Sequence, residues 1–451
     1  MLLEKIYIKV PVWVQEIMIN GYGLKTYLER YTGNYKKYKK EYLNKKYNDY
    51  ISEEKYQIEE LKRLLKHAKE KSKYYTQKLK DINIDEIKTL KDLEKLPILE
   101  KEELRKNINN IITTHEVKNN TSGTTGKSMT VYFTKDDFQK RMAYLDAFKE
   151  KHGVKLGMKA ARFSGKNLIP EKDNNKNKYW RTNKIINQRL YSTFHINERT
   201  LKYYINDLNN FKPDSLDGFM SCIYEIAKYI EKNKIKLEFT PKAIFPTSET
   251  VLEHQKEVVE RVFKCKVRNQ YASSEGASFV TECVEGKLHY NMDTGIIEEN
   301  DGDILITSFT SYGTPLVRYR IGDRMIFLKE ECSCGNCHPV IERIEGRNTD
   351  YLYSKERGKI NAANMSNVIK YIPNAVKNIQ FIQNVEDEII INIAVDRERY
   401  LEKYDEEILN EMKNRFGLNM KFTINKMDEI PKEKSGKYRY IKNNLNLFEE
   451  K

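Results

Sequence analysis

Strand-like and helix-like stretches alternate between residues 110 and 330, and this alternation limits the possible folds more than any other feature. VYFT (131–134) and AIFPTS (243–248) read as strands. CIYEIAKYI (222–230) and VLEHQKEVVERVF (251–263) read as helices. Alternation of this kind predicts an α/β architecture. From Asp303 onward the pattern turns strand-rich, first DILITSF and then PLVRYRIGDRMIFL. No internal repeat is visible.

The flanks differ from this middle. Residues 1–110 read mainly as helix. No Gly or Pro occurs between Glu53 and Lys80, and Ile58, Leu61, Leu64, Leu65 and Ala68 recur at helical spacing. LEKLPILEKEELR (93–105) adds a Pro turn and a further helix start. After Arg347 the pattern predicts a hairpin over 379–395, a helix over 397–417 and a strand over 420–431 that leads into a Lys-rich loop. The expected organisation is a large α/β domain over 1–346, led by the helical segment 1–110, and a small α+β domain over 347–451. The boundary falls near 346–350, with no Gly/Ser linker, so any hinge is short.

Composition narrows the class. Apolar residues make up 39% of the 451, which favours a globular chain. The net charge of +14 invites a nucleic-acid reading. The excess Lys is spread along the chain, however, and accompanies abundant Asn, Ile and Tyr, as biased codon usage produces. No nucleic-acid partner is expected, and an anionic ligand gains from the positive field. No apolar run is long enough to span a bilayer. The opening MLLEKIYIKVPVWVQEIMINGYG is interrupted by Glu4, Lys5 and Lys9 and lacks a signal-peptide cleavage site, so it reads as a short amphipathic surface segment at most. Four of the six cysteines (Cys283, Cys332, Cys334, Cys337) lie in one late region, unlike a disulfide framework. These features predict a cytoplasmic location.

The strongest local signal is NNTSGTTGKSMTVYFT (119–134). Two glycines let backbone N–H groups approach a polyphosphate, the hydroxyls add donors, and Lys127 adds charge. The P-loop pattern fails, because its first Gly would fall at Thr121 and the stretch after Ser128 is β-prone rather than helical. A Ser/Gly hairpin turn is the competing reading.

TSGTTGKSM resembles the phosphate-binding loop of the adenylate-forming superfamily, which includes acyl-CoA synthetases, luciferases and peptide-synthetase adenylation domains. Further resemblances occur in the superfamily's order: NQYASSEGASFVTEC (269–283), LVRYRIGDRM (316–325), IEGRNTDYL (344–352) and IPKEKSGKYRY (430–440). With the opening helices, PILEKEELR and Cys-x-Cys-Gly, nearly the whole chain resembles the phenylacetate–CoA ligase branch, especially its capsular-polysaccharide-biosynthesis relatives.

The resemblance implies activation of a small-molecule carboxylate by ATP and Mg²⁺, then acyl transfer to coenzyme A or to an amine. It implies that Thr121, Ser122, Gly123, Thr124, Thr125, Gly126 and Lys127 cradle the β- and γ-phosphates. Tyr271 would stack on adenine, with Ala272 and Ser273 beside it. Ala272 stands where the family has Gly. Ser274 would touch the α-phosphate, and Glu275 would hold Mg²⁺. Asp323 would accept from the ribose hydroxyls, although Arg318, Arg320 or Arg324 are competing partners. Arg347 would contact the nucleotide. Ser248 and Glu249 would contribute to the nucleotide site, or Ser248 would cap a helix. Lys437 would meet the reacting anions. The hinge position, commonly Asp or Lys, is Thr349 here with Asp350 next, which leaves the hinge open. Phe219, Met220, Ala277 and Phe279 are acyl-pocket or core residues.

Cys283, His289, Cys332 and Cys334 offer three thiolates and an imidazole, a set suited to tetrahedral, structural Zn²⁺. Cys337 and His338 are spare ligands, and reduced surface thiols are the competing reading. Three alternatives to the CoA ligase remain open. One is an amide ligase in surface-polysaccharide assembly, another adenylylation of a hydroxyl compound, and the third a non-catalytic basic binding module. A homodimer is compatible with the chain.

Overall fold

The computed structural model describes residues 6–120, 129–165, 168–170, 173, 176–300, 302–347, 351–361, 365, 368, 375–433 and 438–445. For residues 346, 347, 359 and 361 only the backbone is described. The chain packs as two units. One comprises Met1–Met158, Thr182–Gln188 and Arg268–Ile344, the other Lys159–Arg181, Arg189–Val267 and Glu345–Lys451.

In the first unit the expected helical lead-in is present as Val12–Arg30, Tyr35–Asn44, Tyr50–Lys71, Lys73–Lys78 and Lys101–Ile111. The helical run predicted through Lys80 breaks at Ser72. Its backbone turns extended, and its hydroxyl accepts from the Tyr75 N–H at 3.4 Å, so Ser72 ends one helix and caps the next. Leu61, Leu64, Leu65 and Ala68 are completely buried against Val131, Phe133, Ile306 and Tyr319. Each such Leu contributes roughly 1.5–3 kcal/mol by leaving water.

The strands predicted at 131–134 and after Asp303 are present. Val117–Asn120 pairs antiparallel with Thr130–Phe133, so the glycine-rich segment joins the two strands of a hairpin. A five-stranded sheet runs in the order Asp323–Leu328, Val340–Arg347, Leu288–Tyr290, Val280–Glu282, Gln270–Tyr271. Its edge strands carry Tyr271 and Asp323, yet the two side chains are hydrogen bonded. The sheet therefore curls until its edges meet, an extreme of normal sheet twist.

In the second unit Ala160–Ser164, Ser215–Gly218 and Ala243–Pro246 are adjacent parallel strands, with helices Leu201–Phe211, Met220–Lys232 and Glu253–Phe263 between and after them. Gly218 has φ +135°, and a Cβ there would lie 1.8 Å from the Phe163 carbonyl oxygen. Only glycine lets this strand turn into the following helix. The C-terminal hairpin Val376–Val385/Glu388–Val395 is flanked by Lys421–Met427 and Ile441–Asn443. Helix Lys403–Phe416 buries Ile408, Met412 and Phe416; it starts six residues later than predicted because 396–400 form turns off Asp396. The α/β reading, the helical lead-in and the α+β character of the C-terminal segment are borne out.

Candidate active site and candidate metal centre

The nucleotide-end candidates of the first unit gather at the curled sheet. Tyr271 Oη donates to Asp323 Oδ2 at 2.7 Å. The three arginines that compete for Asp323 hold other groups: Arg318 pairs with Glu298 at 3.0 Å, Arg320 with Glu100 at 3.0 Å, and Arg324 donates to the Gly302 carbonyl at 2.6 Å. Ala272 lies between Tyr271 and a tight loop in which Ser273 Oγ accepts from the Gly276 and Ala277 N–H groups at 3.2 and 3.0 Å. Gly276, at φ +111°, makes that loop possible; a Cβ would press on Phe133 and Ser311. The Ser274 carbonyl accepts from Asn119 Nδ2 at 2.9 Å, which ties the loop to the hairpin strand that leads into residue 121.

Glu275 is buried, not a solvated loop carboxylate, and its charge faces Lys101 Nζ at 3.5 Å. Behind the loop, Arg141 is buried. It donates to the Ala277 carbonyl at 2.9 Å and to Thr310 Oγ1 at 2.7 Å, and lies over the Phe279 ring. Burial lowers its pKa to about 10. Lys101 and Arg141 are not among the residues that the motifs single out. Lys101 sits in PILEKEELR, a segment that carries the family resemblance without giving this Lys a charge to hold.

In the second unit, Ser248 takes φ +64° and caps nothing; Leu252 stands at the N-cap of Glu253–Phe263. Glu249 instead accepts from the Ser221 N–H and hydroxyl, both at 2.9 Å, an anion at the N-terminus of Met220–Lys232. The Tyr438 N–H also approaches it, at 3.4 Å. Lys432, from the terminal motif, donates to the Thr193 carbonyl at 2.8 Å and is nearly buried. Phe219 and Met220 belong to the core of this unit, and Ala277 and Phe279 to cores of the first. Thr121, Ser122, Gly123, Thr124, Thr125, Gly126, Lys127, Lys437 and the hinge pair Thr349 and Asp350 lie outside the described residues, as does the Arg347 side chain.

The cysteine candidates converge. One ligand atom each from Cys283, His289, Cys332 and Cys334 falls within 4.8 Å of the others. Strands Val280–Glu282 and Leu288–Tyr290 form the hairpin that brings Cys283 and His289 together, with Gly286 at φ +81° in its turn. Cys283 Sγ and Cys332 Sγ are 3.8 Å apart, and Cys334 Sγ is 3.5 Å from His289 Nε2. A tetrahedral ion bonded at about 2.3 Å to sulfur and about 2.0 Å to nitrogen sets these spacings at about 3.8 and 3.5 Å. The donor set and its spacing fit zinc.

His289 Nδ1 lies 2.9 Å from the His338 carbonyl, which orients the ring and turns Nε2 inward. Burial raises the Cys283 thiol and pushes Cys334 up to about 12, with neighbouring sulfurs adding to the rise at Cys334. Cys283 and Cys334, so raised, keep their protons unless a cation replaces them. Cys337 stays outside the quartet, its N–H donating to the Tyr47 carbonyl at 2.7 Å. The buried His338 ring lies outside the quartet. It stacks near Tyr47 and faces Glu53 and Asp293, which share the Lys45 ammonium at 2.8 and 3.0 Å.

Comparison with known proteins decides the family. Over 455 aligned residues the chain is 37% identical to protein CapK of Staphylococcus aureus, covering 98% of this chain and all of that protein. The chain belongs to the CapK family. A model of the CapK C-terminal domain matches residues 352–444. This CapK-family chain is also 23% identical to the phenylacetate-coenzyme A ligase of Thermus thermophilus, over 85% of its own length and 95% of that enzyme's. It shares the fold of a 2-hydroxyisobutyryl-CoA ligase solved in the postadenylation state with 2-HIB-AMP, at a TM-score of 0.72 and 14% identity, covering 88% of this chain and 91% of that one. The CapK-family chain thus has the fold of an adenylate-forming CoA ligase. Among its described residues no helix is long and apolar enough to cross a membrane.

Proposed function

We propose that the chain condenses a carboxylate with ATP to an acyl-AMP and pyrophosphate, then transfers the acyl group to the thiol of coenzyme A with release of AMP. The observations that carry this reading are the Tyr271–Asp323 pair and the burial of Glu275, at the places the adenylate-forming pattern reserves for adenine, ribose and Mg²⁺. Asp323 exchanges the Tyr271 hydroxyl for ribose hydroxyls, and Tyr271 presents its ring to adenine. Glu275, released from Lys101, would hold Mg²⁺, which would supply positive charge to the phosphates. Ser248, Glu249, Ala272, Ser273, Ser274 and Arg347 complete the nucleotide contacts, and the 121–127 segment holds the β- and γ-phosphates. Lys437 brings a cation to two reacting anions, so positioning and electrostatics supply most of the rate. Cys283, His289, Cys332 and Cys334 hold a structural Zn²⁺ away from the chemistry.

The same proposal divides the chain at 346/347 and lets the smaller domain withdraw Lys437 between half-reactions. Lys437→Ala is then expected to lose at least about 100-fold in carboxylate-dependent ATP–pyrophosphate exchange yet still convert pre-made acyl-AMP and CoA to thioester. Loss of both half-reactions together overturns the division of labour.

An amine acceptor in surface-polysaccharide assembly is the second reading, favoured by the 37% identity to CapK. A panel of acids with ATP and Mg²⁺, assayed with CoA or with amino sugars, separates the two. CoA-dependent AMP formation supports the ligase, and amine-dependent AMP formation replaces it. No pyrophosphate release and no binding of Mg-ATP would leave only a basic scaffold.

A further inference from the structure

Helix Val12–Arg30 is built inside out. Its inward side is held by polar contacts. Gln15 is fully buried, with Nε2 donating to the Val10 carbonyl at 3.0 Å. Asn20 donates to the Thr182 carbonyl at 3.1 Å and accepts from the Lys184 N–H at 2.7 Å. Gly23 rides so close that a Cβ would lie 2.5 Å from the Asn183 side chain. The outward side is apolar: Trp13 is 66% exposed, Ile17 60%, Leu24 48% and Leu28 55%. At about 100° per residue these four fall within an arc of about 60°. They form one continuous stripe facing solvent.

The concentration is not general to the surface. Among the described residues fourteen large apolar side chains are exposed, and seven of them lie between Ile6 and Leu28. Apolar stripes of this size mark a surface that something covers. Charge indicates what covers it. Residues 6–40 hold seven Lys or Arg and two Glu, a net +5. The charged residue exposed on the helix itself is Lys25, and Lys36, Lys37 and Lys40 are exposed on the adjoining helix Tyr35–Asn44. Two copies meeting through this face would set like charges against each other. An anionic lipid surface matches both the stripe and the lysines. Trp is a ring that settles at such an interface, and Trp13 lies on the stripe.

We propose that the outward face of Val12–Arg30 binds the surface of an anionic bilayer. The helix lies in the interface with Trp13, Ile17, Leu24 and Leu28 inserted and the lysines at the headgroups. Among the described residues no helix is long and apolar enough to span the membrane.

The test is co-sedimentation of the full chain with vesicles of phosphatidylglycerol and phosphatidylcholine in equal parts, against vesicles of phosphatidylcholine alone. The expected result is a pelleted fraction on the anionic vesicles at least about tenfold above that on the neutral ones, falling as salt is raised. The quadruple variant W13S/I17S/L24S/L28S should lose the binding while keeping its thermal midpoint. If it does not fold, K25E/K36E/K37E, which leaves the stripe intact, should lose the preference for anionic vesicles. Wild-type chain that pellets with neither vesicle overturns the proposal. So does a lipid-free dimer that the serine variant converts to monomer without any vesicle binding, which would assign the stripe to a second copy.

Discussion

The thiol quartet and the Tyr271–Asp323–Glu275 cluster lie in the same unit but are finished to different degrees. In the quartet, four ligand atoms lie within 4.8 Å of one another, and a backbone carbonyl sets the orientation of His289. In the other cluster each carboxylate is engaged by a protein donor that a ligand would have to replace, Tyr271 on Asp323 and Lys101 on Glu275. On the proposed function, this difference separates a site that would hold one ion permanently from one that would exchange partners during turnover. A permanent site gains from being complete. A turnover site loses if its charges are held too firmly, and it loses stability if they are left buried and unpaired.

The sharpest way to break this comparison is Cys332→Ser. It should take the metal content from one equivalent to below about a tenth and cost more than about 4 kcal/mol of stability, read by elemental analysis and denaturant unfolding. Stability that is unchanged with the metal gone would make the quartet ornamental. Asp323→Ala should do the converse. A loss of roughly 100-fold in kcat/KM for ATP is expected, with stability altered by less than about 1 kcal/mol, because the group it pairs with remains half-exposed. Lys101→Met sharpens the contrast further. Freed of its ammonium partner, Glu275 should bring the Mg²⁺ requirement for pyrophosphate exchange down by about two- to fivefold, seen in an Mg²⁺ titration.

The smallest effect lies away from both clusters. Burial lowers the Lys228 ammonium to about 8, although Glu225 counters part of the drop. Between pH 8 and 10.5 the unfolded chain then binds more protons at this group than the folded one, so stability rises with pH across that window. Lys228→Met should remove that rise in the difference between wild-type and variant midpoints, measured from pH 7 to 10.5. A parallel pair of curves would show that Lys228 keeps its proton.

Much of this was legible in local pattern. The helical spacing of Leu61, Leu64, Leu65 and Ala68 named a buried face before any partner was known. The short VEGK turn (284–287) puts Cys283 and His289 on the two arms of one hairpin, with His289 opposite Thr281. What escaped was long-range charge. Lys101 is 174 positions from Glu275 and Asn119 is 155 from Ser274, and no periodicity links them. Glu249 also holds the N-terminus of a helix that starts 29 residues earlier, a contact its motif does not reveal.

The sequence alone determined the alternation that makes the chain α/β, the order of its motifs and the donor types of its thiol quartet, because each is read from residue types and short local runs rather than from contacts. Tertiary structure decided which charges face which: the curl that joins Tyr271 to Asp323, the carbonyl that aims His289, and the polar seat that turns an apolar helix face outward. Those pairings depend on distances between segments far apart in the chain, and distance between segments is set only when the core closes.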